Sequence, residues 1–281
     1  MVLITIQQCL LYGAIQFQNM ANSTSCKPYF FSPFQSDSNR PLFVFLPGMD
    51  ETGKELMTLQ TAGLEAVFDV RCFVIPADAL DSWDSLAQQL IALTKAELEK
   101  APRSVYLCGE SFGTCVALTA LTQAPELYDR IILINSASSF HRVPLLNLGS
   151  FLLSWTPQFF YDFSSILALP FLAQITRLSP KARNALIKAT QDAPKRTAEQ
   201  RLELLRTFKT DEIKLQKITQ PVLVIGSQND HLLPSVNEAY RLAKVFPNTQ
   251  VFTLPHSGHA CLVEKDVDLV AILQAANFLR W

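Results

Sequence analysis

The sequence has no excess of charge of either sign: 24 Lys and Arg face 25 Asp and Glu, a formal net charge of −1. Nucleic-acid binding needs a basic footprint, and the chain as a whole does not carry one. Zinc-ligand spacing is also missing. The six cysteines, Cys9, Cys26, Cys72, Cys108, Cys115 and Cys261, form no CxxC pair. Cys72 and Cys108 lie inside apolar runs, where a free thiol behaves as a small hydrophobe, so a reduced, intracellular chain is the simpler reading. No Lys or Arg precedes Lys27, so the apolar stretch from Met1 to Leu11 lacks the basic flank of a secretory signal. Gln7 and Gln8 break that stretch, and it is too short to span a membrane. Residues 1–40 are therefore read as a lead-in with no assigned function, and Met20 is an alternative start. Internal repeats and low-complexity tracts are absent too.

What is present is apolar. Hydrophobic residues make up 49% of the chain and charged residues 17%, enough for a large buried core. Short β-type runs recur at Leu42–Leu46, Val70–Ile75, Val105–Cys108, Ile131–Ile134, Val222–Ile225 and Val251–Leu254. They are continuously apolar rather than alternating, as in parallel strands covered on both faces. Asp81-Ser82 can cap a helix from about Trp83 to Lys100, with Leu86, Leu90, Leu93 and Leu98 on its apolar side. Asp266 opens a last helix with Val267, Val270, Ile272 and Phe278. Strand–helix alternation of this kind predicts a doubly wound α/β fold with a mostly parallel sheet.

One stretch breaks the alternation. No strand pattern occurs between Ile134 and Val222, so residues 136–217 are expected to form a helical cap inserted into a core of 41–135 and 218–281. The cap has two unlike halves. Residues 143–173 contain a single charge, Asp162, whereas residues 177–217 hold eleven Lys/Arg against five Asp/Glu, an excess of six. Pro157, Pro170 and Pro180 divide it into short helices.

The strongest chemical signal is Gly109-Glu110-Ser111-Phe112-Gly113, directly after one apolar run and at the head of a helix. A sharp strand-to-helix turn holds its serine in a strained geometry and lifts the hydroxyl above the sheet. Gly109 and Gly113 leave room for that turn. The N–H of Phe112 then stands at a helix N-terminus, where negative charge is stabilised. A serine hydroxyl needs a base, and four histidines compete: His141, His231, His256 and His259. His259 lies in the loop after the last strand, and the Ser-Gly before it gives the loop freedom to reach Ser111. His256 adjoins the strand end, His231 reads as a loop residue, and His141 opens the cap. For the orienting acid, Asp230 follows the strand Val222–Ile225. The other position, at the end of Ile131–Ile134, is Asn135, which carries no charge. In Leu46-Pro47-Gly48-Met49-Asp50, the glycine allows close backbone approach, and the Met49 N–H becomes a second donor to an oxyanion. Asp50 reads as a residue that orders that loop, with a substrate contact as the alternative. No metal or cofactor is called for.

With these motifs placed, the chain resembles the esterase/lipase/thioesterase family of the α/β-hydrolases. Within it, the resemblance is to the hydrolase half of plant plastid phytyl ester synthases and their cyanobacterial relatives. It is carried by Leu46-Pro-Gly-Met-Asp-Glu-Thr-Gly53, Phe68-Asp-Val-Arg-Cys72, Gly109–Gly113, Asn135-Ser-Ala-Ser-Ser-Phe140, Pro221–Gly226 with Asp230, and Ser257-Gly-His-Ala-Cys-Leu-Val-Glu264. The resemblance implies an α/β-hydrolase fold and acyl chemistry on lipid-like esters or thioesters, by hydrolysis or by transfer to an alcohol such as phytol. The plant proteins continue into a domain with an H-x-x-x-x-D motif. Here no histidine has Asp five residues on, which shifts the expectation toward hydrolysis. The apolar cap half would then wall an acyl pocket. The basic half would rest on anionic headgroups, giving a cytoplasmic protein peripheral to a membrane, the thylakoid if the source is photosynthetic. Carbon–carbon hydrolases and lyases reuse the same triad, so the motifs leave them open. A non-catalytic binding protein of this fold would usually have lost a triad member, and none is lost here.

Overall fold

The computed structural model describes residues 27–49, 53–77, 79, 81–144, 169–192 and 194–279. Among the described residues seven strands form one sheet: β1 (Tyr29–Phe31), β2 (Leu42–Leu46), β3 (Asp69–Val74), β4 (Val105–Glu110), β5 (Arg130–Ile134), β6 (Val222–Ser227) and β7 (Thr249–Leu254). Their spatial order is β1-β3-β2-β4-β5-β6-β7. Every pairing is parallel except β1 against β3. The apolar runs thus become parallel strands in an α/β-hydrolase fold, as expected.

The pleat explains the continuous apolar pattern. Leu42, Val44 and Leu46 of β2 point into one core layer with Leu107, Leu133 and Val224. Phe43 and Phe45 point to the other, with Tyr106, Cys108, Ile132 and Leu223. Alternate residues face opposite sides, so strands covered on both faces need apolar residues at every position. The helices supply the covers: α1 (Lys54–Gln60), α2 (Trp83–Lys100), α3 (Phe112–Gln123), α4 (Pro180–Asp192), α5 (Lys195–Thr207), α6 (Glu212–Leu215), α7 (Ser235–Val245) and α8 (Leu269–Ala275). Ser82 caps α2 as expected, its hydroxyl accepting from the Ser85 N–H at 3.2 Å. Cys72, Cys108, Cys115 and Cys261 are free and buried. Burial pushes their thiols up, that of Cys72 to about 12.

Two expectations need adjusting. The lead-in 1–40 is not only a lead-in, because Tyr29–Phe31 adds the antiparallel edge strand. The last helix begins at Leu269 rather than Asp266, since Asp268 is its cap, accepting from the Ala271 N–H at 3.1 Å. Most of the apolar cap half lies outside the described residues. The described part of 136–217 is helical, with Leu178 making a single bridge to Glu264. No described helix is long and apolar enough to cross a membrane.

Candidate active site

β4 hands its chain to α3 through Ser111, whose backbone is forced to φ 51°, ψ −113°. A non-glycine residue at positive φ carries strain of about 1–3 kcal/mol, held only where the surroundings over-determine it. Several contacts do so. The Ser111 N–H donates to the Ile134 carbonyl at 2.9 Å, and the Ser111 carbonyl accepts from Ala137 N–H at 3.3 Å. The Thr114 hydroxyl also donates to that carbonyl, at 2.6 Å. The glycines are spatial necessities. A Cβ on Gly109 would stand 2.7 Å from the Gly113 carbonyl oxygen, and one on Gly113 would stand 2.1 Å from that of Leu46. The absent side chains let α3 pack directly onto the end of β2 and the Pro47–Met49 turn.

Asp230 follows β6 and His259 follows β7, so all three expected residues emerge at the carboxyl edge of the sheet. The geometry joins them. The Ser111 Oγ lies 2.8 Å from His259 Nε2. His259 Nδ1 lies 2.7 Å from Asp230 Oδ2. Because Nδ1 faces a carboxylate it carries the ring hydrogen, leaving Nε2 as the acceptor facing the serine hydroxyl. Asp230 Oδ1 accepts from the backbone N–H groups of Leu232 and Leu233, both at 2.9 Å. The Ser235 hydroxyl donates to Oδ2. Burial alone would push the Asp230 carboxyl up. The electrostatic pull of the His259 ring and the hydrogen bonds from His259, Ser235 and the Leu233 N–H outweigh it and hold the carboxyl below its ordinary value. The competing histidines fall elsewhere: His231 and His256 are exposed, and His141 is half-buried beside Arg142.

Met49 and Phe112 are also neighbours of this edge. Leu46 of β2 pairs with Gly109 of β4, which sets the turn after one beside the elbow after the other. Asp50 lies outside the described residues.

Two supporting residues were not foreseen. Asn135, considered only as a missing acid, is fully buried and sits at φ 45°. Its Nδ2 donates to the His259 carbonyl at 2.6 Å and to Ser227 Oγ at 2.9 Å, while Oδ1 accepts from the Ser227 N–H at 2.8 Å. It ties β5 and β6 to the histidine loop, and an asparagine tolerates the left-handed backbone better than most residues. Glu264 closes the same loop: its Oε1 accepts from the Gly258 N–H at 2.9 Å and its Oε2 from Arg177 Nε at 3.1 Å.

Residues 92–266 match the family of the alpha/beta hydrolase fold. The chain belongs to this family. As an α/β hydrolase it is 28% identical, over 280 residues, to phytyl ester synthase 1, chloroplastic, of Arabidopsis thaliana, covering 90% of this chain and 40% of that protein. It therefore spans about 40% of the length of the phytyl ester synthases it matches. It is 26% identical over 206 residues to pimeloyl-(acyl-carrier protein) methyl ester esterase of Nitrosomonas europaea, covering 70% of this chain and 78% of that one. Among solved α/β hydrolases, the enol-lactonase from Burkholderia xenovorans LB400 aligns with a TM-score of 0.71 at 15% identity, over 89% of this chain and 95% of its own. An esterase from Thermogutta terrifontis aligns at 0.66 and 18%, over 89% and 91%. At these identities the structures report a shared fold.

Proposed function

We propose that this α/β hydrolase cleaves acyl esters or thioesters through an acyl-enzyme on Ser111. The observation that carries the reading is the hydrogen-bonded series Ser111–His259–Asp230, mounted on a strained elbow and held from both ends. In the proposed reaction His259 Nε2 takes the Ser111 proton as Oγ attacks the acyl carbonyl. Asp230 keeps the imidazole in the required tautomer and stabilises its charged form. The N–H groups of Met49 and Phe112 receive the oxyanion, each such donor being worth about 3 kcal/mol. The protonated His259 gives its proton to the departing alcohol or thiol. A water, deprotonated by the same nitrogen, then attacks the acyl carbon; the bond to Oγ breaks, the acid leaves, and His259 returns the proton to Ser111 Oγ.

Lipid-like substrates are proposed on two supports. Relatives whose names specify phytyl and pimeloyl esters align over most of this chain. Residues 143–173 are nearly free of charge, a composition suited to apolar acyl chains. A membrane-resting basic half is weakened by two of its charges, because Arg201 is buried and Arg177 is bound to Glu264.

Hydrolysis of p-nitrophenyl esters of increasing chain length, with Ser111→Ala alongside, tests this reading. Ser111→Ala should lower kcat about 10⁴-fold or more. Activity persisting in that variant contradicts the mechanism, and preference for acetate over long chains contradicts the lipid assignment.

A further inference from the structure

One face of α5 presents Thr197, Gln200, Arg201 and Leu204, at the i, i+3, i+4, i+7 spacing of neighbours on a helix. All four are used on the carboxyl edge of the sheet. The Thr197 hydroxyl donates to the Ala77 carbonyl, and Gln200 Nε2 donates to that of Asp81 at 2.9 Å. Arg201 Nη2 donates to the Pro76 carbonyl at 3.1 Å, and its Nη1 donates to the carbonyl of Met49. The Leu204 carbonyl accepts from Trp83 Nε1 at 3.1 Å, and the Trp83 ring lies 4.6 Å from that of Phe112. One helix therefore grips both residues whose N–H groups are assigned to the oxyanion: Met49 directly, and Phe112 through Trp83.

Arg201 is the centre of this grip and is only 3% exposed. A buried guanidinium is costly unless its donors are used, and its rigid fork can hold carbonyls from two separate loops where a lysine offers a single point charge. Fixing the Met49 carbonyl restricts the rotation of the residue whose N–H must face the oxyanion. Donors of this kind stabilise a transition state because they are oriented beforehand.

We propose that Arg201 is a positioning residue for the oxyanion turn, so that the seating of α5 on the core sets the alignment of Met49. This rests on the acyl-enzyme reading above.

The test uses the full chain with Arg201→Gln, Arg201→Lys, Trp83→Phe and the surface control Arg206→Gln. Hydrolysis of p-nitrophenyl butyrate is measured per active site, counted by fluorophosphonate titration run to completion. Inhibition by a trifluoromethyl ketone, which forms a hemiketal with the serine, is measured in parallel. Arg201→Gln should lower kcat per site about 10- to 100-fold, short of the 10²–10³ for a deleted donor, with KM nearly unchanged. The ketone Ki should rise by the same factor, and Arg201→Lys should fall between. Trp83→Phe keeps a ring against Phe112 but removes the Leu204 hydrogen bond, and should shift both quantities about threefold. Arg206→Gln should match wild type. A purely structural role would reduce the number of titrated sites and leave kcat per site and Ki unchanged, which overturns the proposal. If the Arg201 variants do not fold, Trp83→Phe decides by the same two readouts. A wild-type chain that neither hydrolyses the ester nor reacts with fluorophosphonate overturns the acyl-enzyme reading and this inference with it. An active wild type with unaltered variants overturns this inference alone.

Discussion

Asp230 shows how neighbours decide the state of a charge. Its side chain is 1% exposed, and burial penalises the carboxylate. His259, Ser235 and the Leu232 and Leu233 N–H groups more than offset that penalty, so its native pKa is lowered. An acid with a lowered native pKa binds fewer protons folded than unfolded where it titrates, so its contribution to stability rises with pH. That contribution is present above the ordinary carboxylate range and is lost as pH falls through the native value. Denaturant unfolding from neutral to acid pH should therefore show a steeper loss for wild type than for Asp230→Asn. Parallel curves would contradict the assignment. Ser111, Asp230 and His259 were legible because strand ends and loop positions limit which side chains can meet. Asn135 and Glu264 were not, because Asn135 bonds Ser227 and the His259 carbonyl and Glu264 bonds Arg177, partners far along the chain that residue spacing does not encode. Arg201 was read as one charge in a basic stretch, as most such arginines would be.

At the scale of elements, the elbow works because α3 is allowed to touch β2. A methyl group on Gly113 would lie 2.1 Å from the Leu46 carbonyl oxygen and 2.7 Å from that of Pro47. These are backbone atoms of a central strand and its turn, so they cannot swing aside as a flexible side chain would. Gly113→Ala should destabilise by about 3 kcal/mol, at the upper end for overpacking, and lower kcat by displacing the Met49 turn. Thermal unfolding and ester hydrolysis measure the two effects, and an unshifted Tm would contradict the packing described. The central strands were readable because both faces are covered, which demands unbroken apolar sequence. β1 escaped because three residues at a sheet edge, paired antiparallel to β3, give too short a pattern to distinguish from a loop.

At the scale of the molecule, the fold separates two tasks. The sheet fixes Ser111, Asp230 and His259 from strands that neighbour one another in the order β4-β5-β6-β7. The insertion between β5 and β6 supplies α4 and α5, and it reaches back to the core through Arg177 on Glu264 and Arg201 on Met49. Composition alone predicted the contrast between an apolar and a basic half. It did not predict that Arg201 is buried or that Arg177 is paired with Glu264, because both depend on partners brought together only by folding. The central claim is that Ser111 is an activated nucleophile. Its most direct test is reaction of the folded chain with a fluorophosphonate, followed by mass spectrometry of its peptides. A single stoichiometric adduct on Ser111, formed rapidly in wild type and drastically slower in His259→Ala, is the predicted result. A folded wild-type chain left unlabelled at Ser111, or labelled equally fast without His259, would contradict it.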